Sequence, residues 1–86
     1  MTGSVALGAA DDEGLFGALG DVLAECGATL VRDCWALAGD EEIYRWSFAL
    51  GGDALEVIAE PERGLRLEGP EALVEDIAAE LKRRIP

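Results

Sequence analysis

Histidine is absent from the sequence. With it goes the imidazole on which Ser-His-Asp and Cys-His nucleophile systems rely, and a ligand that mixed zinc sites use. Basic residues are scarce as well: seven Lys and Arg stand against eighteen Asp and Glu, for a net charge of −11. A surface so negative repels phosphate backbones and anionic lipid, so neither nucleic acid nor a membrane is expected as partner. The two cysteines, Cys26 and Cys34, are too few for a disulfide framework, and their spacing fits neither a C-x-x-C redox pair nor a zinc knuckle. They read as small apolar side chains of a reduced, cytoplasmic protein. Long apolar runs are missing: nothing approaches the roughly 20 residues of a membrane helix. The opening segment Met1 to Ala10 has no positive region and is interrupted by Gly3 and Gly8, so it does not read as a secretory leader. Neither G-x-x-x-x-G-K-S/T nor a strand-linked G-x-G-x-x-G occurs, and no cofactor is expected.

What is present is the mix of a folded domain: half of the residues are hydrophobic and 29% are charged. A chain of 86 residues builds one core. Residues 1–10 are rich in small side chains and read as a flexible lead-in, with residues 11–86 as a single α+β domain. After Asp11, the residues Leu15, Phe16, Leu19, Val22, Leu23 and Cys26 recur at helical period. Asp11 or Asp12 suits the N-cap, and Gly27 the left-handed C-cap. Gly14, Gly17 and Gly20 lie off this stripe, and each costs about 0.5–1 kcal/mol in a helix interior. The helix therefore depends on packing, and its glycine flank is smooth enough to accept close approach of another element.

Beyond Gly27 the period falls to two. Ala28 to Ala38 reads as a strand with apolar residues on both faces, Val31, Trp35 and Leu37 against Leu30, Cys34 and Ala36, and a bulge would reconcile the two sets. Ile43 to Leu50 alternates more clearly, with Tyr44, Trp46, Phe48 and Leu50 on one face. Gly51-Gly52 is a hairpin signal. It sets Phe48 opposite Leu55, Trp46 opposite Val57 and Tyr44 opposite Ala59, and leaves Ser47 with Glu56, Arg45 with Ile58 and Ile43 with Glu60 on the far side. A slip of one residue would scatter these groups. Pro61 to Gly64 turns the chain into a strand carrying Leu65 and Leu67. Pro70 then opens a helix at N1, with Leu73, Val74, Ile77, Ala78, Leu81 and Ile85 as its apolar stripe and Pro86 as its stop. Acids in its first half and Lys82, Arg83 and Arg84 in its last turn match the macrodipole. The expected fold is an α+β two-layer sandwich. A four-stranded antiparallel meander is covered on its aromatic face by an N-terminal and a C-terminal helix, in the order α-β-β-β-β-α.

Nothing in the sequence assembles a catalytic set, so a non-enzymatic role is expected. The carboxylates Glu56, Glu60 and Glu68 share a sheet face with Arg45 and Arg66, the ordinary pattern of cross-strand charge pairing. The clusters Asp11-Asp12-Glu13 and Asp40-Glu41-Glu42 lack the spacing of a calcium loop, and no metal site is expected. Trp35 has two placements. With Val31 and Leu37 it points into the core; with Leu30, Cys34 and Ala36 inward instead, it stands on the open sheet face. The second placement gives a candidate interaction surface of Val31, Trp35, Ile43, Arg45 and Ile58. The leading expectation is a protein–protein interaction module, self-association included, working through the open sheet face or an edge strand. Two others stand beside it: an acidic inhibitor or immunity-type protein that masks a basic protein surface, and a small ligand-binding or enzymatic domain using sheet-face carboxylates.

Overall fold

The computed structural model describes residues 1–85. Its elements run β1 (Thr2–Gly8), α1 (Glu13–Cys26), β2 (Thr29–Ala38), β3 (Glu41–Leu50), β4 (Asp53–Glu60), β5 (Gly64–Pro70) and α2 (Glu71–Arg84). The Asp12 side chain accepts a hydrogen bond from the Leu15 amide at 3.0 Å and starts α1. Gly27 ends it with φ 85°, donating to the Ala24 carbonyl. Pro70 sits at the N-cap of α2, one position ahead of the expected N1, and its ring offers the helix no side-chain cap. The Met1 carbonyl partly compensates by accepting from the Glu71 amide at 3.0 Å, which ties the start of the chain to the start of α2. The expected stop at Pro86 lies outside the described residues.

The sheet has five strands, not four, all antiparallel and ordered β1-β5-β4-β3-β2. The additional strand comes from the segment expected to be a flexible lead-in. β1 pairs with β5 from Thr2 opposite Pro70 to Gly8 opposite Leu65, with a register shift between Ala6 and Gly8. Its pattern is alternating, Val5 and Leu7 half-buried with Ser4 and Ala6 exposed between them. Glycine, alanine and serine mute that signal, because small side chains carry little β-propensity. Leu65 and Leu67 of β5 are fully buried, and β1 satisfies the outer backbone groups of that strand.

The β3–β4 hairpin has the register read from the sequence. Tyr44 lies opposite Ala59, Trp46 opposite Val57 and Phe48 opposite Leu55, with Arg45 opposite Ile58 and Ser47 opposite Glu56. Gly51 and Gly52 close it with φ of 59° and 104°. β2 pairs with β3 through a register shift between Leu30 and Arg32, the bulge that its double-faced pattern calls for.

One core joins both helices to one face of the sheet. Leu15, Leu19, Val22 and Leu23 of α1 and Val74, Ile77 and Leu81 of α2 pack with Leu55 and Val57 of β4 and with Leu65 and Leu67 of β5. Trp46 and Phe48 join only at the margin of this cluster, half-buried. α2 contacts β1 and β5, and α1 contacts α2. On the far side every residue of β2 from Thr29 to Leu37 is exposed. Strands lie about 4.8 Å apart and packed helices 8–10 Å apart, so two helices cover about four strands. Once β1 takes a place under α2, β2 is left bare.

Gly27 and Gly64 test the position of β1. Both are left-handed, with φ of 85° and 80°. A Cβ on Gly27 would meet open space, whereas one on Gly64 would overlap the backbone carbonyl of Gly8. Gly27→Ala is expected to cost about 1 kcal/mol, the conformational penalty alone. Gly64→Ala should cost about 2–3 kcal/mol, because the end of β1 must also move. Denaturant unfolding of the two variants measures the difference, and equal losses would contradict this close approach.

Candidate interaction surface

The structure separates the five residues that the sequence groups into one surface. Trp35 lies opposite Tyr44 and therefore on the face that carries the helices, while Ile43, Arg45 and Ile58 are on the reverse face. Val31 is the extra residue of the bulge, 68% exposed. Neither placement weighed for Trp35 is the observed one. It shares the face of the core, yet no helix reaches it, and it remains 54% exposed.

The reverse face is a lattice of charge. Arg45 pairs with Glu56 at 3.3 Å, and Arg66 pairs with Glu68 at 3.2 Å and with Glu60. Register sets Arg45 and Arg66 directly on either side of Ile58. Their aliphatic stems roof it while the guanidinium groups reach the carboxylates. Ile58 is accordingly 1% exposed and offers nothing to a partner. An isoleucine on a strand face otherwise polar looked like exposed apolar surface; the two flanking arginines were the signal that it was not. Glu56, Glu60 and Glu68 thus form the cross-strand charge pairs expected of them with Arg45 and Arg66.

The exposed apolar groups gather elsewhere. Besides Met1, the large ones among the described residues are Phe16, Leu30, Val31, Trp35, Leu37 and Tyr44. Leu30, Trp35 and Leu37 sit on the helix-bearing face of β2, opposite Phe48, Tyr44 and Glu42 of β3. An aromatic run crosses this strip. Phe16 of α1 meets Trp46 at 5.0 Å between ring centroids, tilted by 56°, and Trp46 stacks on Tyr44 at 5.9 Å and 14°. Trp35 follows Tyr44 across the strands. Glu42 accepts a hydrogen bond from the Tyr44 hydroxyl at 3.1 Å, and this bond holds the phenol above its ordinary pKa. Between α1 and β3 an apolar cleft of about 240 Å³ opens, lined by Phe16, Leu19, Gly20, Leu23, Trp46, Phe48 and Val57. A Cβ on Gly17 or Gly20 would meet nothing within 4 Å, so the smooth flank read from the sequence is unoccupied.

Charge elsewhere is structural or solvated. Glu25 at the end of α1 accepts from Arg84 at the end of α2, which holds its carboxyl below the ordinary range. Glu41 is held above that range by a hydrogen bond shared with Glu62 in the β4–β5 turn. A shallow depression of about 560 Å³ beside that turn is edged by Asp11, Glu42, Glu62 and Arg63. Among the described residues no three Cys, Asp or Glu side chains converge as metal ligands, and no helix is long and apolar enough to cross a membrane. Cys26 and Cys34 are unpaired and exposed.

Comparison with protein-family models, with curated proteins and with solved structures gives no match to this chain. The site must be read from its own geometry.

Two arginines sharing Glu60 measure how far the charged face is structural. The Arg66 side chain is 22% exposed and that of Glu60 14%, whereas Arg63, 3.9 Å from the same carboxylate, is 71% exposed. Arg66→Ala should cost about 1–3 kcal/mol by leaving a half-buried carboxylate short of its partner and Ile58 uncovered. Arg63→Ala should change stability by less than about 0.5 kcal/mol. Thermal and denaturant unfolding compare them; equal effects would remove the roofing role given to Arg66.

Proposed function

We propose that this chain is a cytoplasmic, non-catalytic protein–protein interaction module. It is built as two layers and binds through the uncovered strip of β2 and β3, not through the charged reverse face. The single observation that carries this reading is β2 itself. Six consecutive residues, Arg32 to Leu37, follow the bulge on an edge strand with no covering on either face, and four of them are apolar. An exposed apolar edge invites pairing and aggregation unless a partner covers it. The two-layer description has support in the shape of the molecule, whose shortest dimension is 21 Å. That thickness accommodates one helix layer about 10 Å above a sheet and leaves no room for a second layer beneath.

A role in masking a basic protein has one observation in its favour. Asp11, Asp12 and Glu13 edge a depression floored by Phe16, Tyr44 and Trp46, so a partner with apolar and basic groups would meet matching chemistry there. This second reading concerns the α1 end of the same strip.

Both readings require Trp35 to serve binding and not stability. Trp35→Ser should leave the unfolding midpoint within the range of a surface substitution, about 0.5 kcal/mol. A photo-crosslinker at position 35 should give discrete protein adducts in the cell, and one at position 45 should give none. A midpoint loss of about 3 kcal/mol or more, as for a core aromatic, or adducts from position 45 alone, would overturn the assignment of this face.

A further inference from the structure

We infer that the partner covering β2 is a second copy of this chain, paired antiparallel along the two β2 edges about a twofold axis perpendicular to the sheet. The inference rests on the interaction-module reading and adds the identity of the partner. Charge is the first argument. In a chain of net charge −11, two copies repel over most of their surface. The exceptions are the two edge strands: Met1 to Ala10 carries no charged side chain, and in Cys26 to Gly39 the only charges, Arg32 and Asp33, cancel. An edge-to-edge contact along either strand brings neutral segments together, and the choice between the edges rests on their side chains.

The two sheet edges supply the second argument. β1, the other edge, turns Val5 and Leu7 toward the core, has only small residues at Gly3, Ser4, Ala6 and Gly8, and shifts register with β5 between Ala6 and Gly8. This edge offers a partner little apolar surface. β2 also carries a bulge, at Val31, but beyond it Arg32 to Leu37 is regular and exposes Trp35 and Leu37.

Symmetry supplies the third. A twofold perpendicular to the sheet preserves its faces, so directly opposed residues must come from the same face and the axis must pass at a residue. Centring on Asp33 opposes two carboxylates. Centring on Cys34 sets Asp33 against Trp35 and the small Cys34 against itself. Centring on Trp35 sets Cys34 against Ala36. In either of the last two registers the helix-side strips of both copies join between the two α1 helices into one largely apolar floor, interrupted by Asp33 of each copy. The exposed parts of Leu30, Trp35, Leu37 and Tyr44, with the strand edge itself, amount to several hundred Å² per chain, of the order of the about 800 Å² a standard interface buries on each partner.

Sedimentation equilibrium of the intact chain over micromolar to sub-millimolar concentration is the test. The expected result is a mass of two chains. Leu37→Glu should weaken the self-association at least tenfold with an unchanged far-ultraviolet circular dichroism spectrum, while Ser4→Glu on the β1 edge should leave it intact. A monomer at all concentrations, or a dimer disrupted by Ser4→Glu and not by Leu37→Glu, would overturn the inference. Trp35 quenching by acrylamide in a Trp46→Phe background then separates the two failures. A monomer whose Trp35 is readily quenched loses only the second copy and keeps an open binding strip. One whose Trp35 is shielded loses the interaction reading as well.

Discussion

Helices packed side by side take up about 10 Å each, and strands about 4.8 Å, so two helices roof four strands. This chain has two helices and five strands, and the mismatch governs most of what is distinctive about it. The helices are drawn to the β1 side because Leu65 and Leu67 of β5 and Leu55 and Val57 of β4 form the most apolar part of the sheet. α2 is held there by its bond to the Met1 carbonyl and by contact with β1 and β5. The deficit therefore falls entirely on β2. Trp46 and Phe48 lie at the boundary, half covered, and Trp35 lies beyond it.

The two faces of the sheet meet their apolar residues in different ways. On the helix-bearing face burial is ordinary core packing that thins toward β2. On the reverse face Ile58 is sheltered by Arg45 and Arg66, whose head groups are tied to Glu56, Glu60 and Glu68. Long amphipathic side chains can roof an isolated isoleucine between two strands. They cannot do so for β2, where Cys34 and Ala36 are short and only Arg32 is long enough, at the end beside the bulge. The charged face closes itself and the neutral edge does not.

Much of the fold was legible in the sequence because strong side chains announced it. The β3–β4 register followed from aromatic alternation and Gly51-Gly52, and α1 from its stripe, its aspartate cap and Gly27. β1 was missed because glycine, alanine and serine alternate without much contrast in hydrophobicity, so a strand stabilised by pairing with β5 looked like a mobile lead. The misplacement of Trp35 follows from that same omission. With four strands, two helices would have covered β2, and a tryptophan there would be either core or on the reverse face. The fifth strand creates a third place, on the core face but outside the core. Tyr44, Phe16 and Leu30 belong to the strip for the same reason, and no local pattern marks them, since each carries the periodicity of a buried residue.

The composition of α1 fits this geometry. Gly17 and Gly20 lower its helix propensity, and the helix survives because Leu15, Leu19, Val22 and Leu23 are buried. Larger residues at these two positions would strengthen the helix and extend its cover toward β3. They would also fill the approach to the cleft above Trp46 and Phe48, where Gly20 now leaves open space. A chain under pressure for stability alone would place alanine or leucine there and close the strip from the α1 side. Glycine on that flank and a bare β2 edge act in one direction. Both leave the same apolar strip accessible, and they are the grounds on which we propose that strip, and not the charged face, as the binding surface.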